Sequence, residues 1–336
     1  ENMIASKHDV NANDVTMLEL NAEIVDGEDN QEYIQLRQFI QQNDLSDDEN
    51  YNYVINQIDI DNFMEYNIAQ IYMDNRDYPG NNIKYWKVPG SKWRWILYDT
   101  DFGFGLFPSW SSNVYHNTLQ FALEEFGPGW PNPPWSTLLF RRLIENSTFQ
   151  NKFINHFCFY LSTRFKPDHI ESRIDNIINH ISTEMPNHIN KWSGSMSQWY
   201  ESIGAIREFG QGRNANIYTH LSQYFDLYMG TSNVVVSSYP EDGGRIITSN
   251  QIIPENPWNA TYFNGVNLQI KAIPNPGFTF SHWGCPGTDC ETNPNLSIDL
   301  SSNEYIVAVF VEEETPSIIQ INEFLASNQS INTDEE

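Results

Sequence analysis

Apolar and polar positions alternate with two different periods along this chain, and the change of period divides it. Residues 31–45 and 51–73 carry apolar side chains at helical spacing. In the second segment Val54, Ile58, Phe63, Tyr66, Ile68, Ile71 and Tyr72 mark the face. Asp59 or Asp61 is suited to cap a break within it. The runs Ile83 to Val88 and Lys92 to Tyr98 are rich in β-branched and aromatic residues and predict two strands. Val88-Pro89-Gly90-Ser91 between them suits a type II turn, with Pro first and Gly second of the central pair. Helical spacing returns at Leu138, Leu139, Leu143, Phe149, Phe153, Phe157 and Tyr160, which predicts one or two amphipathic helices. Further helices are expected at 167–191, 195–209 and 212–229, with Pro167 and Pro186 at boundaries. From Gly230 to Glu314 the runs NVVVSSYP, GRIITSN, VNLQIKAIPNPGFTFSHW and EYIVAVFVEEE predict short strands with turns between them. The expected class is α+β, with a small all-β module at the C-terminal side.

Composition narrows the partners. The chain has 336 residues, enough for two or three domains, and 40% hydrophobic with 14% aromatic residues, enough for a folded core. A formal net charge of −26 argues against nucleic acid and anionic membrane surfaces as partners. No apolar run approaches the ~18 residues that span a bilayer. Cys158 falls on an apolar helical face and reads as a core thiol. Cys285 and Cys290 bracket a short loop and permit a disulfide, which an oxidising compartment favours. The eight histidines form no metal-binding pattern.

The candidate chemistry lies on either side of the predicted hairpin. Asp77 and Asn82 stand five residues apart in Asp-Tyr-Pro-Gly-Asn-Asn; Asp99 and Asp101 precede Phe102-Gly103. The order Asp-x4-Asn, hairpin, Asp-Phe-Gly is the one in which kinase-like enzymes assemble a base and two metal-binding side chains around ATP. Phosphoryl transfer needs Mg²⁺ on the phosphates and an acceptor hydroxyl held in line, and Mg²⁺ prefers oxygen ligands. Asp77 is therefore the expected catalytic residue. Asn82, Asp99 and Asp101 are the expected metal and cofactor ligands for Mg²⁺ and ATP. Each piece alone has a plainer reading, since Asp-Tyr-Pro-Gly-Asn-Asn is a good turn sequence by itself. The hairpin should bring both loops to one end of a small sheet.

The segments IDIDNFMEYNIAQIYMDNRDYPGNNIKYW at 58–86, KWRWILYDTDFGFGLF at 92–107 and WSTLLFRRLIENSTFQNKFINHF at 135–157 resemble the spore-coat protein CotH kinase-like family. The resemblance covers roughly residues 10 to 229. It implies an atypical protein-kinase-like lower lobe, built from the catalytic hairpin plus helices, that uses ATP and phosphorylates secreted or surface proteins. The family's catalytic Asp carries over onto Asp77, its Asn onto Asn82 in preference to Asn81, and its metal Asp pair onto Asp99 and Asp101. Pro79 stands where ordinary protein kinases have a Lys two residues after the catalytic Asp. Arg76 and Arg94 are close in sequence, and neither is assigned to the phosphate. No Gly-rich phosphate loop and no strand-borne Lys with a partner Glu stands out before residue 30. The chain is expected to be a piece of a longer protein whose upstream part completes the nucleotide cleft and carries the signal peptide.

These readings divide the chain into a kinase-like domain at 1–229, a β module at 230–314 and the start of a further domain at 315–336. The β module resembles a divergent internalin B-type repeat through Gly244-Arg245-Ile246, Leu268 to Ala272 and Gly277 to Trp283. The tail resembles the opening strand of a lamin-tail-like domain. The long aromatic segment LFPSWSSNVYHNTLQFALEEFGPGWPNPPW at 106–135 occupies the place of a kinase activation segment. It either covers the cleft and recognises the acceptor, or is a surface loop whose Trp110, Trp130 and Trp135 fill hydrophobic gaps. The expected function is Mg-ATP-dependent phosphorylation of Ser, Thr or Tyr hydroxyls on secreted or surface proteins. The alternatives are a nucleotide-binding pseudokinase and a non-catalytic binder of surfaces or polysaccharide.

Overall fold

Four short strands build the sheet that carries the candidate loops: β1 (Thr16–Glu19), β2 (Glu23–Asp26), β3 (Lys84–Lys87) and β4 (Arg94–Ile96). Their order is β2-β1-β3-β4, antiparallel throughout. The computed structural model describes residues 2–106, 113–284 and 291–313. β3 and β4 are the expected hairpin. Its turn closes through Ser91 N–H donating to Val88 O at 3.0 Å, with Gly90 at φ 74° as a type II turn requires. β1 and β2 were not foreseen from the sequence. They are four residues each, and their connection has no Gly or Pro; Leu20 and Ala22 take the positive φ values instead, at 46° and 66°.

The sheet separates two apolar layers. Tyr85, Trp93 and Trp95 face the main core, where Tyr33 and Phe63 meet them ring to ring. Trp86 faces the other way, into a small cluster with Ile4, Ala5, Val15, Met17 and Val88 beneath α1 (Asn2–His8). The expected helix at 31–45 is shorter, α2 (Gln31–Gln42), and the one at 51–73 is two, α3 (Asp48–Gln57) and α4 (Ile60–Met73). Asp59 caps α4 by accepting from Asn62 N–H at 3.1 Å, so Asp59 and not Asp61 makes the break. The start of the second hairpin strand slots into that break. Trp93 N–H donates to Gln57 O and Asp59 N–H donates to Trp93 O, both at 2.9 Å.

The remaining helices are α5 (Thr118–Leu123), α6 (Pro134–Ile144), α7 (Ser147–Leu161), α8 (Pro167–Ile181), α9 (Met185–Trp192) and α10 (Met196–Tyr224). Phe149, Phe153 and Phe157 of α7 are fully buried. The two helices expected at 195–209 and 212–229 are the single α10. Gly210 and Gly212 within it are contact points and not breaks. A Cβ on Gly210 would lie 2.7 Å from Ile170 Cγ2, and one on Gly212 would lie 2.8 Å from Val114 Cγ2.

Eight strands follow: β5 (Thr231–Tyr239), β6 (Gly244–Thr248), β7 (Gln251–Ile252), β8 (Trp258–Phe263), β9 (Asn267–Pro274), β10 (Phe278–Gly284), β11 (Asn295–Asp299) and β12 (Glu304–Glu312). They form two sheets ordered β10-β12-β5-β8 and β11-β9-β6-β7, antiparallel except for β5 beside β12. Val234, Val236, Ile246, Leu268, Ile270 and Phe310 alternate inward and share the main core. The module is seated on α7. Phe159 meets Trp258 with ring centroids 5.2 Å apart, and Asn155 Nδ2 donates to Asn267 O at 2.7 Å. Thr261 N–H donates to Ser162 Oγ at 3.2 Å, and the Tyr218 hydroxyl donates to Thr261 O at 2.9 Å.

The architecture is α+β, of the kind a kinase-like fold has. Cys158 is a buried free thiol, pushed well up by burial. Cys285, Cys290, Trp110 and the 315–336 tail lie outside the described residues. Among the described residues no helix is long and apolar enough to cross a membrane.

Candidate functional site

Antiparallel pairing of Lys84 with Ile96 puts the loop before β3 and the loop after β4 at one end of the sheet. The two loops are then joined by their backbones. Arg76 N–H donates to Phe102 O at 3.1 Å, and Phe104 N–H donates to Met73 O at 2.8 Å. The Asp77 loop is also held from behind. Asn75 is buried, donates to Gln70 Oε1 at 2.9 Å, and accepts from Asp77 N–H at 3.2 Å. Tyr78 OH donates to Asn67 Oδ1 at 2.6 Å. Gly80 N–H donates to Pro131 O at 2.7 Å, and a Cβ there would strike Pro133 Cδ at 2.5 Å. Residues 131–133 of the long aromatic segment thus brace this loop. Trp135 packs against the main core, while the Trp130 side chain is exposed.

Asp77 is half-buried and its carboxylate is clamped by two amides. Asn81 Nδ2 donates to Oδ1 at 2.9 Å and Asn82 Nδ2 donates to Oδ2 at 2.7 Å. Both asparagines therefore orient the same carboxylate, and the kinase-like spacing of Asn82 has no separate geometric counterpart. Asn82 and Asp99 hold left-handed backbones at φ 49° and 51°, conformations that Asn and Asp tolerate better than most residues. Asp99 and Asp101 are exposed neighbours. A hydrogen bond shared with Asp101 is the largest influence raising the Asp99 carboxyl, and the negative charges of Asp101 and Asp77 add to it. Tyr98 feels the same field. Burial raises its phenol, as do the charges of Glu19, Asp99 and Asp77. The sheet end thus gathers hard oxygen donors of the kind Mg²⁺ prefers. Among the described residues no three His, Cys, Asp or Glu side chains form a ready metal cage. Kinase-type Mg²⁺ sites take part of their coordination from substrate phosphates.

Sequence reasoning missed the network that fixes the end of α4. Asp74 closes the helix at φ 51° with its carboxylate fully buried. It accepts from Thr118 Oγ1 at 2.6 Å, from Asn113 N–H at 3.0 Å and from His116 Nδ1 at 2.7 Å. Burial alone would raise this carboxyl; the His116 bond and the charge of Arg213 outweigh it and hold it below the usual range. Arg213 is fully buried on α10. It donates to the carbonyls of Ile71, Tyr72, Val114 and His116 and to Thr118 Oγ1, at 2.7–3.0 Å. Arg76 belongs to this network as well. Its Nη1 lies 3.6 Å from Asp74 Oδ1 and its guanidinium rests over the Phe121 ring. Arg94 pairs with Asp59 at 3.0 Å. Neither arginine near the motif in sequence is directed to the carboxylates of the two loops. Arg213 had no local signal, because it lies 139 positions after Asp74.

A cavity of about 510 Å³ lies between α7 and the β module, lined by Lys152, His156, Asn250 and Lys271 among others. It shares no residue with the two loops and has no convergent carboxylates, so it does not compete with them as a phosphoryl-transfer site.

The family model described as CotH kinase protein matches residues 1–217, which is more than half of the chain. No curated protein and no solved structure matches it.

Proposed function

Because the chain belongs to the CotH kinase family, we propose that it is a Mg-ATP-dependent phosphotransferase acting on Ser, Thr or Tyr hydroxyls of secreted or surface proteins. The observation that carries this reading is the junction of the two loops, whose backbones are hydrogen-bonded from Arg76 to Phe102 and from Phe104 to Met73. In the proposed reaction the bond between the γ-phosphorus and the ADP oxygen breaks, a bond to the acceptor oxygen forms, and the acceptor proton passes to the Asp77 carboxylate. Asn81 and Asn82 hold that carboxylate in one orientation. Asn82, Asp99 and Asp101 would hold Mg²⁺, which when bound neutralises phosphate charge and aligns the phosphates.

The test is transfer of labelled γ-phosphate from ATP to a protein acceptor by the full chain. Asp77→Ala and Asp101→Ala are expected to lower the rate by at least about a hundredfold. Equal rates in both variants and wild type would remove the assignment. Mg-ATP binding without phosphoprotein would leave the pseudokinase reading in its place.

A further inference from the structure

The residues named so far for the proposed reaction include no basic side chain. Pro79 occupies the place of the usual Lys, Arg76 is engaged with Asp74 and His116, and Arg94 with Asp59. A triphosphate with its metal remains anionic, and Asp77, Asp99 and Asp101 alone would repel it. Register points to a different residue. Lys84 is the first residue of β3, two positions after Asn82, and stands opposite Glu19 on β1 and Ile96 on β4. Its ammonium lies 3.5 Å from Glu19 Oε2 and 5.2 Å from the centroid of the Tyr98 ring, and Tyr98 directly precedes Asp99. This is a strand-borne Lys with a Glu partner at the mouth of the carboxylate loops, a pair the sequence did not reveal.

We infer that Lys84 is the phosphate-binding cation of this site, held in place by Glu19 until the phosphates of ATP arrive. The contacts around it suit that exchange. The Lys84 side chain is 31% exposed and that of Glu19 37%, so the pair is solvated and weak, and the more highly charged phosphates can compete for the ammonium. The ammonium sits over the Tyr98 ring, a cation–π contact that keeps it beside the residue preceding Asp99.

The inference rests on the phosphotransferase reading, and the experiment lets the two fail separately. Binding of Mg-ATP and of Mg-tripolyphosphate is measured by calorimetry on the full chain and on Lys84→Met, Lys84→Arg, Glu19→Gln and Arg94→Met, with melting curves to establish folding. Lys84→Met is expected to weaken both ligands about tenfold, because the lost contact is to phosphate and not to the base. Lys84→Arg should stay within about threefold of wild type, since it keeps the charge. Glu19→Gln frees the ammonium without removing it and should bind at least as tightly as wild type. Arg94→Met should be unchanged. Wild-type affinity in Lys84→Met, a loss confined to ATP, or a tenfold loss in Glu19→Gln overturns the role of Lys84 and leaves the phosphotransferase reading standing. A loss in Lys84→Met within a chain that binds but never transfers phosphate keeps Lys84 and removes only transfer. A wild-type chain that binds neither ligand removes both.

Discussion

Gly103 faces the carbonyl of Met73 so closely that a Cβ built on it would stand 2.8 Å from that oxygen. The same oxygen accepts from Phe104 N–H at 2.8 Å, so it has little freedom to retreat. The approach of the two carboxylate loops therefore depends on a missing side chain. Gly103→Ala should push the Asp99–Phe102 segment away from Asp77. Mg-ATP affinity is expected to fall at least about tenfold, with a loss of about 1–3 kcal/mol in stability; calorimetry and urea unfolding measure the two.

The glycines of α10 should separate by what surrounds them. Gly204 has open space around its Cβ position, and Gly204→Ala should stabilise the chain by about 0.5–1 kcal/mol. Gly210→Ala and Gly212→Ala meet Ile170 and Val114 and should destabilise by about 1–3 kcal/mol. Chemical denaturation of the three variants gives the comparison.

Arg213→Met would leave Asp74 buried with its strongest distant countercharge removed and would strip the guanidinium from the carbonyls of Tyr72 and Val114. A loss of about 3–5 kcal/mol is expected. Arg213→Lys should recover only part of it, because an ammonium has three donors and no planar fork. Urea unfolding midpoints read the difference.

Acid should weaken the fold before the carboxylates titrate. Burial, reinforced by the charge of Lys152, lowers His156 to about 4, and burial with the charge of Arg213 lowers His220 to about 4. A histidine lowered in the native state binds fewer protons there than when unfolded. Its stabilising contribution is complete above pH 6.5 and declines as pH falls toward 4. For His156 the decline is up to about 3 kcal/mol. His156→Gln should flatten the stability profile between pH 7 and 4, as followed by unfolding at stepped pH.

The hairpin was legible because its instructions are local: alternating apolar residues and a Pro-Gly pair whose second member takes φ 74°. The sandwich strands were legible for the same reason. β1 and β2 were hidden because Leu20 and Ala22, residues that normally avoid left-handed backbone, make their turn. α10 was divided in two because glycine reads as a breaker, whereas here it admits Ile170 and Val114. In the site, the types and spacing of Asp77, Asn82, Asp99 and Asp101 could be read along the chain. The Asp74–Arg213 network and the Glu19–Lys84 pair could not, because each joins residues distant in sequence through strand register or helix packing.

Helix α7 turns one side to the core behind the carboxylate loops and the other to Trp258 and Thr261. A gene rearrangement that moved the loop-bearing half to a new protein would therefore bare Phe159 and strip Ser162 and Tyr218 of their partners. The transplanted piece would need a replacement neighbour or a rewritten α7 surface to stay dispersed in water.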